Sequence, residues 1–242
     1  PYTTLFRSRY YEDSFPDTVQ SDGAIRAIAV MQGIRLTRKL PAVASFVLTS
    51  TADVTIEAYA QFAVGGYYFF NRDQITLVAN VEKTVDLYQG QISSVSMTGL
   101  GTDFQIFLST EDSFNVSDQD VTVVINNTMI PKAYGGLWNY EDKPGYSDLT
   151  HPDGRLMIQF GSTVYGTVPQ VNDVVTVIFV TTLGANGNAL AIKGSEVALV
   201  NSSLISGKCL TTPTGGAAEK NTLAYKNVEA GAFGAYASAV TR

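Results

Sequence analysis

From Ala42 onward the chain is a succession of short apolar and β-branched runs broken by glycine, asparagine and aspartate, and that punctuation confines it to a mainly-β fold. Side chains that are apolar at every second position, or runs rich in valine, isoleucine and aromatics, mark strands with one or two buried faces. The runs lie at 44–50, 54–64, 67–71, 74–80, 83–90, 91–97, 104–109 and 121–126. Between them stand Gly65-Gly66 and Asn126-Asn127, residue types that accept the positive φ of a tight reversal.

The stretch 154–188, GRLMIQFGSTVYGTVPQVNDVVTVIFVTTLGANGN, is the most heavily punctuated. Asp153-Gly154 reads as a turn, Leu156–Phe160 as a strand, and Gly161 to Gly166 as a tight connection. Val174–Thr181 is apolar on both faces, the pattern of a central strand. The expectation is a hairpin-like unit in which 156–160 pairs with 174–181, GANGN closes the second strand, and a last strand follows near SEVALV at 195–200.

Two segments break the β pattern. In Ser21–Leu40 apolar residues recur at Ile25, Ile28, Met31 and then Ile34 or Leu36, close to the helical period. Ser21 can cap such a helix, Asp22 suits its first turn, and Arg35, Arg38 and Lys39 suit its last, with Pro41 as the stop. Too short to be stable alone, this helix is expected to leave an apolar patch along Ile25, Ile28 and Met31 for a neighbour. A second helical spacing, at Leu223, Tyr225 or Lys226 and Val228, falls within 215–232. The class is therefore mainly β within α+β: an antiparallel-rich β domain with an N-terminal and a C-terminal helix. Residues 9–43 form a helical arm, 44–205 the β-rich domain, and 206–242 a linker and helix.

The ends read differently. PYTTLFRS, residues 1–8, matches in translation the end of a common short-read sequencing adapter and is expected to be foreign to the fold. Without those residues, which include Arg7, the net charge goes from -6 to -7. The closing AYASAVTR carries no terminating pattern, so sequence is expected beyond both ends.

Charge and side-chain chemistry narrow the function. A net charge of -6 and a pI near 4.8 argue against nucleic-acid binding, which needs a basic stripe against phosphates. Charged residues make up 16% of the chain against roughly 25% in an average soluble domain, which suits a surface covered by other proteins. Cys209 is the sole cysteine, so neither an internal disulfide nor a cysteine-rich zinc site is available, and assembly in cytoplasm fits. The longest apolar runs fall well short of the ~20 residues that cross a bilayer.

His151, the only histidine, sits before a turn and reads as a loop residue rather than a general base. The acidic stretch 111–120, EDSFNVSDQD, lacks the glycine and terminal glutamate of an EF-hand loop. Glu141-Asp142 with Asp148 or Asp153 could form a glycosidase pair, but a β protein with 22 acidic residues offers many such pairs. Replacing His151 by Ala, or Asp148 and Glu141 by their amides, is expected to leave assembly intact. Trp138 and Tyr140 read as interface aromatics, with sugar stacking as the alternative. No catalytic residue, metal or cofactor is expected.

Phe160-Gly161, Gly166, Pro169, Asn172-Asp173, the run Val174–Thr181, then Thr182, Gly184 and Gly187-Asn188 together resemble the hallmark of the baseplate J family, the wedge proteins of contractile phage tails. GIRLTRKLPAVASFVLTS resembles that family's helix running into its first strand, AYAQFAVGGYYFFNRDQITL its following strands, and SAVTR its junction to a further domain. The resemblance covers nearly all of residues 10–242. FGST at 160–163 departs from the family's frequent FGDG, and IEAYAQF departs where a proline-glycine turn is common. It implies a structural protein that joins wedges around a hub and transmits the rearrangement that triggers sheath contraction. Its partners would be other wedge proteins and copies of itself, with no nucleic acid, membrane or small-molecule substrate, and its place the virion after assembly in the host cytoplasm. A phage-derived injection or secretion apparatus is one alternative, a receptor- or sugar-binding tail module another. Ile25, Ile28, Met31, Arg35, Trp138 and Tyr140 are the candidate interface.

Overall fold

The structure, a computed structural model, describes residues 21–31, 34–112, 115–134, 136–221 and 224–225. The chain is mainly β, with every strand pairing antiparallel and one helix before the strands. That helix, α1 (Asp22–Met31), starts where Ser21 Oγ accepts the Ala24 N–H at 3.3 Å. It ends well short of the expected Leu40. From Ile34 the chain is extended, bridging Ser117 through Lys39 and Ala217 through Leu40. The cations expected at the helix end are drawn off to partners in the β region, Arg35 to Asp118, Arg38 to Asp148 and Lys39 to Asn115.

A six-stranded closed barrel runs in the order β1 (Val43–Ser50), β15 (Ile205–Cys209), β14 (Glu196–Leu199), β3 (Gln61–Val64), β4 (Tyr67–Phe70) and β6 (Lys83–Gln89), with β6 pairing back onto β1. Alternation drives it: in β1, Ala44, Phe46 and Leu48 point inward while the residues between them stay half-exposed. Phe46, Leu48, Phe62, Phe69 and Leu87 fill the interior. The two-stranded sheet β2 (Val54–Ile56) and β5 (Ile75–Leu77) adds Ile56, Ile75 and Leu77 to the same core. The run 54–64 is thus two strands, separated at Tyr59, which takes φ 61°. Gly65 and Gly66, both at positive φ, join β3 to β4.

Between β6 and β14 the chain builds a second unit from two facing sheets. One is β10 (Thr128–Ile130), β9 (Val116–Ile125), β13 (Val174–Thr181) and β7 (Gln91–Thr98); the other is β11 (Ser147–Thr150), β12 (Arg155–Gln159) and β8 (Ile106–Asp112). Leu156, Ile158 and Phe160 from one sheet and Val121, Val123, Val175, Val177 and Phe179 from the other close a single apolar layer. β13 is central, flanked by β9 and β7, as its double-faced apolarity implies.

Two expectations are overturned. Leu156–Phe160 does not pair with Val174–Thr181: β12 lies between β11 and β8, and faces β13 across the core from the opposite sheet. Two apolar runs with a long glycine-rich connection satisfy their apolar faces equally well by stacking as by pairing, and stacking prevailed. Nor is SEVALV the last strand, since β15 follows it and closes the barrel between β14 and β1. Its sequence, ISGKC, is too short and too polar to show a period. Of the segment 215–232 expected to be helical, residues 215–221 are not, Ala217 instead bridging Leu40, while Ala224 and Tyr225 are helical; the rest of it and residues 1–8 lie outside the described residues.

Candidate functional site

The barrel and the sandwich meet along one continuous strand path. β6 of the barrel becomes β7 of the sandwich at Gly90, where a Cβ would lie 2.3 Å from Val180 Cγ1 and 2.9 Å from the Thr181 carbonyl. Polar side chains fasten the change of sheet. Gln61 Nε2 donates to the Gly90 carbonyl at 3.0 Å and its Oε1 accepts the Ile92 N–H at 3.0 Å. Buried Gln89 accepts from Thr182 Oγ1 at 2.9 Å and from the Leu183 N–H at 2.8 Å. Arg72, just past β4, reaches across and donates to both oxygens of Asp120 on β9, each at 2.8 Å, while lying 4.0 Å from the centre of the Tyr88 ring. Burial works against the Arg72 charge, but the Asp120 hydrogen bonds outweigh it and raise its pKa.

The residues of the family resemblance occupy turns with little room. A Cβ on Gly161 would fall 1.7 Å from the Tyr165 carbonyl oxygen; Gly166, at φ 77°, sits with the Gly145 carbonyl 2.8 Å from where its Cβ would be. Phe160 and Pro169 are buried. Asp173 accepts the Gln170 N–H at 2.7 Å and Asn126 Nδ2 at 2.7 Å, while Asn126 Oδ1 accepts the Val174 N–H, tying this turn to the β9–β10 reversal. Gly184, Gly187 and Asn188 lie in a short 3-10 turn, Gly184–Ala189. Asn188 exchanges two 2.8 Å hydrogen bonds with the backbone of Gly216, and Gly187 leaves 3.0 Å between a would-be Cβ and Ala42. GANGN thereby locks the chain entering β1 to the chain leaving β15.

The candidate interface residues do not converge on one surface. Ile25 is buried with Ala29 against Leu36 and Tyr225, Ile28 is half-buried beside them, and Met31 is 86% exposed. The expected open stripe is therefore covered in part, by residues 36 and 225 rather than by the strands. Arg35 is engaged within the chain, donating to both oxygens of Asp118 at 3.2 Å. Trp138 is 70% exposed and stands 5.1 Å from the Tyr165 ring and 6.0 Å from Phe104, which is held at φ 54°. Tyr140 belongs elsewhere: half-buried, its hydroxyl donates to the Lys132 carbonyl at 3.0 Å.

Sequence reasoning missed a buried ion cluster. Arg38, with no exposed side-chain surface, pairs with Asp148, itself 1% exposed; Lys132 reaches the other oxygen of Asp148 at 2.7 Å, and Arg38 lies 3.7 Å from Asp118. The partners lie 80 and 110 residues apart, so no local spacing announces them. Changing Asp148 to its amide would leave buried Arg38 short of its counter-charge, a cost to the fold not expected from the sequence. Beside the cluster a cleft of about 840 Å³ is lined by Arg35, Lys132, Tyr134, Thr150, Pro152 and Met157, among others.

Of the other carboxylates singled out, that of Asp153 is engaged, while Glu141 and Asp142 are placed by their backbone. Exposed Asp153 is bonded by Arg155 and His151, each at 2.7 Å, and Arg155 above all holds its carboxyl well below the usual range. Glu141 bridges Tyr165 through its backbone, and Asp142 takes φ 51° in a turn. Among the described residues no group of three or more His, Cys, Asp or Glu side chains converges as a metal site would require. Cys209 is buried, which pushes its thiol pKa up. The chain matches no protein-family model and no curated protein.

Proposed function

We propose that this chain is a structural wedge component of a contractile phage-tail baseplate, joining wedges around the hub and transmitting the rearrangement that triggers sheath contraction. The observation that carries the reading is where the motif residues sit. Gly161 and Gly166 shape the connection after β12, Asp173 the turn before β13, and Gly184, Gly187 and Asn188 the clasp that ties both ends of the barrel together. A pattern of residues required at rigid junctions, with its polar groups bonded to backbone, suits a protein that works by transmitting force between parts rather than by chemistry. The ion pairs that bind α1's continuation and the barrel to the sandwich serve the same end.

The test is assembly. The genes flanking this one should encode sheath, tube and hub proteins, and co-expression with them should yield a complex containing this chain on size-exclusion chromatography and in electron micrographs. Flanking genes for polysaccharide breakdown, with no complex formed, would sink the proposal.

A receptor- or sugar-binding tail module is the second reading, and the exposed Phe104–Trp138–Tyr165 group favours it. Trp138 is the only tryptophan, so its fluorescence reports directly on that surface. Saturable quenching by bacterial oligosaccharides, lost in Trp138→Ala, would support this second reading over the first.

A further inference from the structure

An open sheet edge must be paired, covered or charged to stay single, because its unused N–H and C=O groups template another strand. In the sandwich most edges are short or charged: β10 and β11 span three and four residues, and β8 carries Glu111 and Asp112. β7 is the exception. Its eight residues, QISSVSMT, contain no charge and no proline, and among the described residues it pairs on one side only, with β13.

Which groups β7 leaves open follows from its hydrogen bonds. Gln91 turns its carbonyl toward β13, accepting from Thr181 Oγ1, and the Gly99 N–H donates to Asp173 on that same side. Ile92 points its N–H the other way, to Gln61 of the barrel. Backbone groups alternate along an antiparallel strand, so the odd residues bond to β13 and the even residues Ser94, Ser96 and Thr98 point their N–H and C=O outward. All three are exposed. The side chains alternate too: Val95 and Met97 pack on the sandwich core and remain half-exposed at its rim.

We propose that β7 is a self-association edge, pairing antiparallel with β7 of a second copy of this chain. One register uses every open group. With Ser96 opposite its own counterpart, Ser94 falls opposite Thr98 and Thr98 opposite Ser94, and each of these pairs exchanges both of its main-chain hydrogen bonds. The same register sets Val95 against the second copy's Met97, extending the apolar core across a two-fold axis. The absence of charge decides in favour of a second copy, since an uncharged strand meets its own image without repulsion. This inference stands independently of the baseplate reading.

A single added strand buries less than the ~1,000 Å² typical of stable interfaces, so the dimer should be weak, half-formed on the order of 100 µM. Sedimentation of the full chain up to ~0.5 mM should show monomer giving way to dimer, with amide exchange at Ser94, Ser96 and Thr98 slowing as concentration rises. Ser96→Lys changes an exposed side chain and places two ammonium groups face to face, so it should weaken dimerisation at least ~10-fold with the circular dichroism unchanged. A chain that stays monomeric, or a dimer in which those three amides exchange as fast as in the monomer, would overturn the proposal without recourse to any variant. A dimer as tight in Ser96→Lys as in the parent chain would overturn it equally.

Discussion

At the scale of single residues, steric room decides which glycines matter. Gly161 has a carbonyl oxygen where a Cβ would go, and carbonyl backbone cannot yield as a flexible side chain can. Gly161→Ala should therefore cost more than ~3 kcal/mol in urea unfolding or prevent folding outright. Gly23, on the exposed face of α1 with nothing within 4 Å, is the counter-case: Gly23→Ala should be neutral for the β core and favour the helix by about 0.5–1 kcal/mol, read from helicity at 222 nm. The buried ion cluster is equally exacting. Arg38→Met removes the nearest partner of buried Asp148 and leaves Lys132 and the more distant Arg35, at 4.0 Å, to hold it, so a loss of about 3–5 kcal/mol is expected in the same unfolding measurement. A loss below ~1 kcal/mol would show that Lys132 and Arg35 compensate.

At the scale of elements, the connection from β10 to β11 is anchored by Tyr146, which is buried and donates from its hydroxyl to the Val121 carbonyl on β9 at 2.8 Å. Burial, helped by the nearby Asp148 charge, raises its pKa above the ordinary 10.0. The sign follows directly. Below pH 10.0 the phenol is neutral folded and unfolded, and the hydrogen bond contributes in full; above it the unfolded chain ionises while the folded one resists, so stability falls as pH rises toward the folded pKa. Tyr146→Phe should cost about 1 kcal/mol at pH near 8 and lose less stability than the parent chain between about pH 10 and 11.5. Equal alkaline losses in the two proteins would remove Tyr146 from the account. α1 shows how an amphipathic stripe finds a local partner: Ile25 and Ala29 settle on Leu36 and Tyr225, while Met31 is left in water.

At the scale of the whole molecule, two apolar cores are coupled by a few polar bridges. Arg72 and Asp120 form the most direct one, a two-pronged pair joining β4 of the barrel to β9 of the sandwich. Because Arg72 remains partly exposed, Arg72→Met should cost about 2–3 kcal/mol, toward the low end for breaking a buried pair. It should also broaden thermal unfolding into two calorimetric transitions, one for each core. A single sharp transition at unchanged temperature would mean that Gly90, Gln61 and Gln89 carry the coupling without it.

How much of this was readable in the chain depended on the range of the physics involved. Local alternation located β1, β6, β7 and β13, the Asn126-Asn127 and Gly65-Gly66 reversals, and the Ser21 cap, because periodicity, positive φ and capping act over a few residues. Double-faced apolarity likewise marked β13 as central. Strand partners were beyond reach: Leu156–Phe160 offers the same apolar face whether it pairs with β13 or stacks on it, and only the arrival of β8 and β11 decides between them. The three- and four-residue strands β10 and β11, and polar β15, carry too few residues for any period and are strands only because neighbours supply their hydrogen bonds. The C-terminal end of α1 and the ion cluster were set the same way, since Arg35 and Arg38 suit a helix end by local rules but meet Asp118 and Asp148 only after the chain has returned from 80 and 110 residues away. Sequence alone determined the class and the turns; tertiary structure decided pairing, closure and charge, because those energies exist only between segments distant in the chain.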